Sequence, residues 1–478
     1  MQSWHHSALP VAFSIVLGSA LACSASSADM PRHITFSDSA HQKELTINVQ
    51  LMDSLAVTNF TNAKTHYDNS MSIRLFLDGH LTDAFQFSSR VKISTDHTNR
   101  FINFNYYNPD EGIPYNKQSE NKRTWDLFAA NLSYELDPLK LLAGFDFLEW
   151  GPARRNHVIL RGERNFYRPW QDSSSLIPDA APLPYFGYQF TLGPLEYTQY
   201  ATKLYEKKGF GKYFHAHRLR MNLPKNIELG ISETALYGTS IEPAGSNPNP
   251  DSDSTGREFE WAYTIPFIPY VFQEHLQGDQ DNISLAFDLS VKTIPNWEFY
   301  GELLWDDIKS PTSMFDDSWW GNKWAATIGV ARDNIKLGPV NLDWFFEYTR
   351  IEPWVYTHHK GKGYTYASYA QSLGSDLGPN SQEIHSEVSA TYEFVKATLF
   401  FGAVAKDSAF GGNINDIHTP ESAMDKKFLD EKTTIRYKEL GLNVNVTPWD
   451  WISFRCSYTR FFGNYKGYRA YAAGSLQW

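Results

Sequence analysis

Apolar and polar residues alternate with period two along much of the chain, which is the pattern of a β-strand with two different faces. The clearest run covers residues 340–349, where only Phe345 interrupts the alternation. The runs at 283–291 and 85–93 are nearly as regular. Each run is about nine residues long, which is the length that a tilted strand needs to cross a bilayer. The pattern therefore predicts membrane-spanning strands.

The connections between these runs alternate between short turns and long polar loops. We identify eight short turns, centred near Asp78-Gly79, Asp137-Pro138, Gly193-Pro194, Pro224-Lys225, Pro295-Asn296, Gly338-Pro339, Val395 and Pro448-Trp449. The longer stretches between them are 149–184, 238–281, 306–321, 351–383 and 406–432. Bacterial outer-membrane barrels show this asymmetry, with tight turns in the periplasm and long loops outside the cell.

The turns predict an all-β fold, a transmembrane antiparallel β-barrel over residues 45–478. Eight turns that each join two strands, with one further strand at each end, give about 18 strands, and 16 is the alternative. The first strand, 45–51, and the segment 433–446, whose shifted parity requires a bulge, are the weakest assignments. The last strand ends in the aromatic Trp478. Its closure on the first strand would remove the unpaired edges that a bilayer does not tolerate, and barrel assembly machinery commonly acts on such strands.

Composition agrees with a barrel that has one lipid-facing and one polar face. Aromatic residues make up 15% of the chain, yet the mean hydropathy is −0.44. After the amino-terminal segment no apolar run of about 20 residues occurs, which excludes a helical span. A soluble secreted β-sandwich or propeller is the alternative, but neither fold needs the regular succession of short and long connections. A propeller also requires an internal repeat of fixed period, and the sequence shows none.

The amino-terminal residues 1–28 resemble a signal peptide, although no Lys or Arg precedes the apolar stretch. Cleavage is expected after Ala22 or Ala28. Lipidation of Cys23 is a weaker expectation, because the residues before it lack the usual large aliphatic side chain. Residues 29–44 would then form a short periplasmic segment before the barrel.

Charge and chemical motifs exclude several classes of function. The net charge of −11 argues against a nucleic-acid binder, and two cysteines, Cys23 and Cys456, give no disulfide framework. The pairs His215/His217 and His358/His359 lack a third spaced metal ligand, and the calcium-like stretch 251–256 has Ala262 where a glutamate is needed. We find no catalytic motif, so we expect no enzyme activity, no cofactor and no metal.

The most distinctive segment, residues 150–170, reads WGPARRNHVILRGERNFYRPW. It begins and ends with Trp150 and Trp170 and contains five arginines, Arg154, Arg155, Arg161, Arg164 and Arg168. Guanidinium groups bind carboxylates and phosphates through paired hydrogen bonds, so the cluster could receive an acidic polysaccharide or a lipid head group. Alternatively, the loop folds into the barrel and its arginines pair with acidic residues of the inner wall.

Aromatic residues are also concentrated in two of the predicted loops. They are Trp319, Trp320, Trp354, Tyr356, Tyr364, Tyr366 and Tyr369. Flat apolar rings can stack on sugar faces, which would suit a glycan-binding surface. Aromatic residues near strand ends more often form the girdle at the membrane interface. Both interpretations remain open at this point.

Two motifs resemble those of the Wzi family of capsule assembly proteins. One is Trp150-Gly151-Pro152 after a strand. The other is LGSDLGPNS at 373–381, which is similar to the family's LG-x-x-LGP-[DN]-S segment and has as its motif positions Leu373, Gly374, Leu377, Gly378 and Pro379. The resemblance runs from about residue 45 to the end and implies an 18-stranded barrel with a largely blocked interior and lectin-like external loops. Family members with a periplasmic helical bundle have more sequence before the barrel than residues 29–44 provide.

The sequence therefore predicts a protein of the bacterial outer membrane with loops exposed at the cell surface. Its expected partners are outer-membrane lipid, a capsular or other extracellular polysaccharide, and the assembly machinery during biogenesis. The leading hypothesis is that the loops bind or organise the exported polysaccharide. The alternative is a porin-type channel in which the arginines of 149–184 attract anionic solutes.

Overall fold

The structure is a computed structural model that describes residues 34–38, 43–61, 65–94, 124–163, 166–170, 182–205, 211–239, 257–278, 281–307, 310–368, 371–419 and 421–478. Within these ranges the strands are β1 (Ile34–Asp38), β2 (Lys43–Phe60), β3 (His66–Thr82), β4 (Phe85–Ser94), β5 (Thr124–Leu136), β6 (Leu139–Asp146), β7 (Glu149–Trp150), β8 (Leu160–Arg161), β9 (Leu183–Leu192), β10 (Leu195–Lys203), β11 (Lys212–Leu223), β12 (Ile227–Gly238), β13 (Asn282–Val291), β14 (Trp297–Asp307), β15 (Lys323–Leu337), β16 (Val340–Ile351), β17 (Ala367–Ser368), β18 (Gln371–Ser372), β19 (Ser381–Tyr392), β20 (Val395–Asp407), β21 (Thr434–Trp449), β22 (Ile452–Gly463) and β23 (Gly467–Gln477). The helical elements of these ranges are the α-helix Tyr270–Gln277 and the 3₁₀ helices Trp261–Thr264, Pro311–Ser313 and Lys362–Tyr364.

Eighteen antiparallel strands form a closed barrel, which confirms the predicted fold and strand number. Each barrel strand pairs with its sequence neighbours among the long strands, while the two-residue pairs β7–β8 and β17–β18 stand apart in the loops. The barrel closes where β2 pairs with β23, and beyond that ladder Val49 and Trp478 exchange two backbone hydrogen bonds of 2.8 Å. The closed ring leaves no open edge between the first and last barrel strands, as a bilayer requires.

Eight short turns lie at one end of the barrel, the short-turn end. The long connections lie at the other, the long-loop end, together with the short connections 61–65 and 464–466. Most predicted turns lie where expected, but Asp78-Gly79 and Pro448-Trp449 are exceptions. Asp78 and Gly79 continue the β2–β3 ladder, opposite Thr46 and Leu45, and the turn follows at 83–84. Pro448 and Trp449 still belong to β21, whose register shifts between Val446 and Trp449. Pairing is continuous from Thr434 to Val446, so the bulge expected within 433–446 is absent there and the register irregularity follows that segment.

The two faces of the strands follow the alternation in the sequence. Outward side chains such as Ile328, Phe346 and Ile384 are apolar and exposed, whereas Glu347 between them points inward and is 1% exposed. Phe345, which breaks the alternation, also points inward and packs near Ala153 of a loop inside the barrel. None of the helices in the described part of the chain combines the length and hydropathy needed to span a bilayer.

The amino-terminal edge differs from the prediction in extent. Strand β2 runs over Lys43–Phe60 and is longer than the predicted 45–51, since Asp53 interrupts the outward apolar series that ends at Leu51. Strand β1 pairs with the first residues of β2, from Lys43 to Ile47, beyond the end of β23. It therefore adds a nineteenth strand to the sheet outside the closed ring.

Candidate functional site

The described residues 147–163 and 166–170 of the connection between β6 and β9 enter the barrel; we call them the lumen loop. Trp150 anchors its start, with its ring centroid 5.9 Å from that of the inward-facing Tyr200. Gly151 follows with a φ of +106°, and a Cβ there would lie 2.1 Å from a carboxylate oxygen of Glu302. Only glycine fits both the backbone angle and this close approach. The WGP motif therefore turns the chain sharply against the inner wall.

Two wall glutamates bind the backbone of the irregular segment that follows. Glu302 of β14 accepts hydrogen bonds from the amides of Ala153 and Val158 at 2.9 and 2.8 Å. Glu347 of β16 accepts from the three consecutive amides of residues 154–156, at 2.7 to 3.1 Å. Both glutamates are at most 2% exposed. Buried amides need acceptors, and here carboxylates supply them in place of a strand partner.

The first two arginines pair with carboxylates on four different strands. Arg154 bonds both oxygens of Asp333, at 2.8 and 2.6 Å, and also Glu298 at 2.8 Å. The hydrogen bonds with Asp333 raise the pKa of Arg154 above its ordinary value. Arg155 lies between Glu383 of β19 and Glu439 of β21, each at 2.8 Å. A buried ion needs such partners, because its desolvation is otherwise uncompensated.

The remaining arginines lie in the second half of the lumen loop, after residue 160. Arg168 is 1% exposed and contacts Asp376 at 3.1 Å, Glu383 at 2.9 Å and the side-chain oxygen of Asn156 at 3.0 Å. Arg161 is buried, and its amide donates to Leu373 O at 2.9 Å. Arg164 lies outside the described residues. The structure thus places three of the predicted arginines in ion pairs with barrel and loop carboxylates.

The lumen loop contacts the wall on several sides of the barrel. Glu163 lies 3.8 Å from Arg90 of β4, and the Tyr167 ring is 6.4 Å from Phe60 of β2. At its end, Trp170 lies 5.6 Å from Tyr437 of β21. Together with the contacts to β14, β16 and β19, these place the described part of the loop across the interior.

One cluster in the described part of the chain has the spacing of metal ligands. Atoms of Glu383, His385 and Glu439 lie within 4.8 Å of one another, and all three residues are buried. However, Arg155 already donates to both carboxylates. The guanidinium occupies the place that a cation would take, so we interpret the cluster as part of the ion-pair network.

The second motif that resembles the Wzi family, residues 373–381, and the loop before it contact the lumen loop, which begins with the first motif. Tyr356 and Tyr366, in the loop after β16, donate to Val158 O and Ile159 O of the lumen loop at 2.8 and 2.9 Å. Asp376 accepts from Phe166 N at 3.0 Å as well as from Arg168. A Cβ on Gly374 would lie 2.4 Å from the Tyr356 hydroxyl, which explains the glycine. The motif 373–381 therefore covers the lumen loop from the long-loop end.

The structure buries most of the predicted aromatic residues. Those of the loop after β16 are at most 5% exposed, namely Trp354, Tyr356, Tyr364 and Tyr366. Trp320 stacks on His418 at 3.8 Å, with Trp319 6.2 Å away. Tyr369 lies outside the described residues. Tyr356, Tyr364 and Tyr366 belong to the buried apolar core, whereas Trp319 and Trp320 are half-buried.

A cavity of about 390 Å³ opens between the loops at the long-loop end, and we call it the long-loop cavity. Arg161 and Trp170 of the lumen loop line it, together with Asp376, the motif residues Leu377, Gly378 and Pro379, and Tyr465. At its edge, the Lys406 ammonium donates to the carbonyl oxygens of Pro379 and Gly412, which ties two loops together. Two half-buried rings beside a carboxylate, hydroxyls and amides can recognise a polyhydroxylated ligand.

Sequence reasoning missed the wall carboxylates that hold the lumen loop. Glu302, Glu347, Glu383 and Glu439 are distant in sequence, and only the strand register brings them together. They occupy polar positions of strands that alternate between apolar and polar residues, which predicts that their side chains point into the barrel. Inward acidic residues opposite an arginine-rich loop were the available indication.

Comparisons with known proteins support the fold. No family model and no curated protein matches the chain. Among solved structures, Wzi of Escherichia coli, described as a carbohydrate-binding β-barrel of the outer membrane involved in group 1 capsule assembly, matches with a TM-score of 0.56 and 14% identity, over 90% of this chain and 84% of Wzi. OpdK with vanillate and OccK8 (OprE), both of Pseudomonas aeruginosa, match with TM-scores of 0.46 and 0.48 and identities of 9% and 8%, over 91% of this chain and 98% of each of theirs. The chain has the fold of an 18-stranded outer-membrane β-barrel, as Wzi does.

Proposed function

We propose that this barrel binds or organises an exported capsular or extracellular polysaccharide at the cell surface. In this proposal the long loops face outward and the long-loop cavity contacts the glycan. The observation that carries it is the position of this cavity above a lumen that the lumen loop crosses. Binding needs an accessible site on the outer side, while transport needs an open path.

The pairing of the arginines favours binding over a diffusion channel. A porin for anionic solutes would present its guanidinium groups to the solute, whereas Arg154, Arg155 and Arg168 are engaged by carboxylates of the protein. Moving the lumen loop aside would leave several buried carboxylates without partners, which is costly.

The chemistry of the cavity supports a sugar ligand. Trp170 and Tyr465 offer ring faces, while Arg161, Asp376 and Asn415 offer charged and amide groups for ring hydroxyls. Of the residues predicted from the sequence, Arg161 and Trp170 keep a ligand-contact role in this proposal. Wzi, which has a similar fold, is itself a carbohydrate-binding barrel.

The mechanism we propose is non-covalent retention. A polysaccharide offers many identical units, so one chain can engage several copies of the barrel. Weak contacts at each copy then add to strong overall retention, because later contacts form at high effective concentration.

The test combines gene deletion with variants of the cavity. Deletion is expected to weaken capsule staining of the cells and to increase the amount of polysaccharide measured in the medium. For the purified protein, Trp170→Ala with Tyr465→Ala should weaken glycan binding by roughly 3- to 10-fold per ring, as expected for lost aromatic contacts. Phe315→Ala is the matched control, because Phe315 is 74% exposed in a different loop.

A planar-bilayer recording separates the channel alternative. The protein should show no steady conductance if it acts by binding. Open-channel conductance of the intact protein, with normal capsule retention in the deletion strain, would replace this proposal with the porin function.

A further inference from the structure

Residues 257–278 of the connection between β12 and β13 cover the outside of the barrel; we call them the outer strap. Contacts with the lumen loop identify which wall side chains point inward, and therefore which point outward beneath the outer strap. Tyr200 of β10 points inward to Trp150, so Tyr197 and Gln199 point outward. His217 pairs with Gln199 across the sheet, and Glu233 pairs with His217, so both also lie on the outer face.

Polar side chains of this outer face bind one another and the outer strap. His217 lies 3.0 Å from Glu233, and Glu233 accepts from Tyr270 N at 2.7 Å. Gln199 donates to Tyr263 O at 2.5 Å. Facing hydrocarbon directly, these groups would be strongly unfavourable. The outer strap shields them: Gln199 and His217 are at most 9% exposed, and Glu233 is half-buried.

The backbone of the outer strap finds its partners on the wall and within itself. Tyr188 donates to Thr264 O at 3.0 Å, and the Tyr197 hydroxyl accepts from Phe267 N at 3.2 Å. Two other positions, Pro266 and Pro269, have no backbone N–H at all. Irregular backbone is tolerated at membrane depth only where its polar groups are satisfied by protein. The bonds at Thr264 O, Phe267 N and Tyr270 N meet that condition for these three groups.

The opposite face of the outer strap is apolar and exposed. Its side chains with large exposed fractions are Trp261 (68%), Ile265 (48%), Phe267 (64%), Phe272 (62%) and Leu276 (89%). Residues 261–273 contain no Asp, Glu, Lys, Arg or His. The charged groups stand at its two ends, where Arg257 pairs with Asp281 near the long-loop end. This distribution matches a segment that enters and leaves an apolar phase from one side.

The apolar face continues onto the bare barrel wall. The turn of the outer strap reaches Phe190 and Tyr197, close to the short turn at 193–194, with Phe267 4.5 Å from Tyr197 between ring centroids. Beside the covered sector, Ile231, Phe287, Leu289 and Ile328 line an apolar furrow of about 460 Å³ on the outer face. The outer strap and this wall thus form one surface of the same chemistry.

We propose that the outer strap lies in the hydrocarbon region of the membrane and contacts lipid acyl chains, as a lid over a polar sector of the barrel wall. This goes beyond the proposed glycan function, because it concerns the outer face and needs no ligand in the cavity. The occupant is membrane lipid, since the exposed face is uncharged, apolar and continuous with the wall.

Spin labels on single cysteines in bilayers test this proposal. In a background with Cys23→Ala and Cys456→Ala, labels at Phe267→Cys and Phe272→Cys are compared for collision with oxygen and with a water-soluble nickel chelate. Leu289→Cys is the lipid-facing control and Phe315→Cys the aqueous control; these side chains are 40% and 74% exposed. Assembly is checked by heat-modifiable gel mobility.

Labels on the outer strap are expected to match Leu289, with high oxygen and low nickel accessibility. Nickel accessibility like that at Phe315 would overturn the proposal, because the segment would then lie in water. Low accessibility to both reagents would also overturn it, since a second protein or another copy would then cover the face. If Phe267→Cys does not assemble, Trp261→Cys reports on the same face.

Discussion

The lumen loop and the outer strap cover opposite faces of one barrel wall with different chemistry. Inside, guanidinium groups meet carboxylates from several strands, as Arg155 does with Glu383 and Glu439. Outside, the strap is held mainly by hydrogen bonds from hydroxyl and amide groups and by ring contacts. Among the described residues beneath it, His217 and Glu233 lie within ion-pair distance. The difference indicates that the type of contact that holds each segment depends on the medium it faces, the polar lumen for the lumen loop and, as we propose, lipid for the outer strap. Charges suit a polar lumen, whereas a segment facing hydrocarbon is held by largely neutral groups.

The largest expected effect comes from breaking the inner network. Arg155→Ala leaves Glu383 and Glu439 buried without their shared cation, which should cost about 3–5 kcal/mol. We expect a lower unfolding midpoint in heat-modifiable gel assays and the appearance of ion conductance in planar bilayers. The outer strap should keep its protection from proteolysis.

Arg455→Ala is the matched control for that variant. Arg455 is exposed and bonds Asn445 at 3.0 Å, so its loss should change stability by no more than about 0.5 kcal/mol. If Arg155→Ala behaves like this control, the inner network does not fasten the lumen loop.

An intermediate effect is expected beneath the outer strap. Glu233→Ala removes the acceptor for Tyr270 N and the partner of His217. The cost should be roughly 1–3 kcal/mol, because a buried donor is left unsatisfied. Hydrogen exchange in 257–278 should increase while the lumen loop stays protected. Glu233→Gln keeps an acceptor and should have the smaller effect; equal exchange in the two variants would contradict this role.

The smallest effects should come from matched tyrosines on the two faces. Tyr197→Phe removes the acceptor for Phe267 N outside, and Tyr356→Phe removes the donor to Val158 O inside. Each should cost about 0.5–1.5 kcal/mol. We expect each variant to raise hydrogen exchange only in its own loop. Loosening of both loops by either variant would show that the two fastenings are coupled.

The barrel was predictable because alternation and turn residues are local. The runs at 283–291 and 340–349 became β13 and β16 almost unchanged. The turn at Asp78-Gly79 was wrong because pairing with β2 continues through these residues, and local sequence does not report on the partner strand. The length of β2 was missed because Asp53 interrupts the apolar series on its outward side, although pairing with β3 and β23 continues through this residue.

The site was predictable only in part. The arginine cluster was recognised, with inner-wall pairing as one of two interpretations, but its partners follow from register between distant strands. Residues 238–281 were expected to form one of the long loops, but the length of a loop does not show whether it lies over the lumen or along the outer wall. The uncharged run at 261–273 was the available indication.

Glu383 has a consequence for the inner network, because two arginines share it. Asp376 lines the long-loop cavity and binds Arg168, which also contacts Glu383, and Glu383 in turn binds Arg155 deep in the lumen. Glu383 thus joins the ion pair beside the long-loop cavity to the ion pair deep in the lumen. One carboxylate therefore contributes to holding both ends of the inner network.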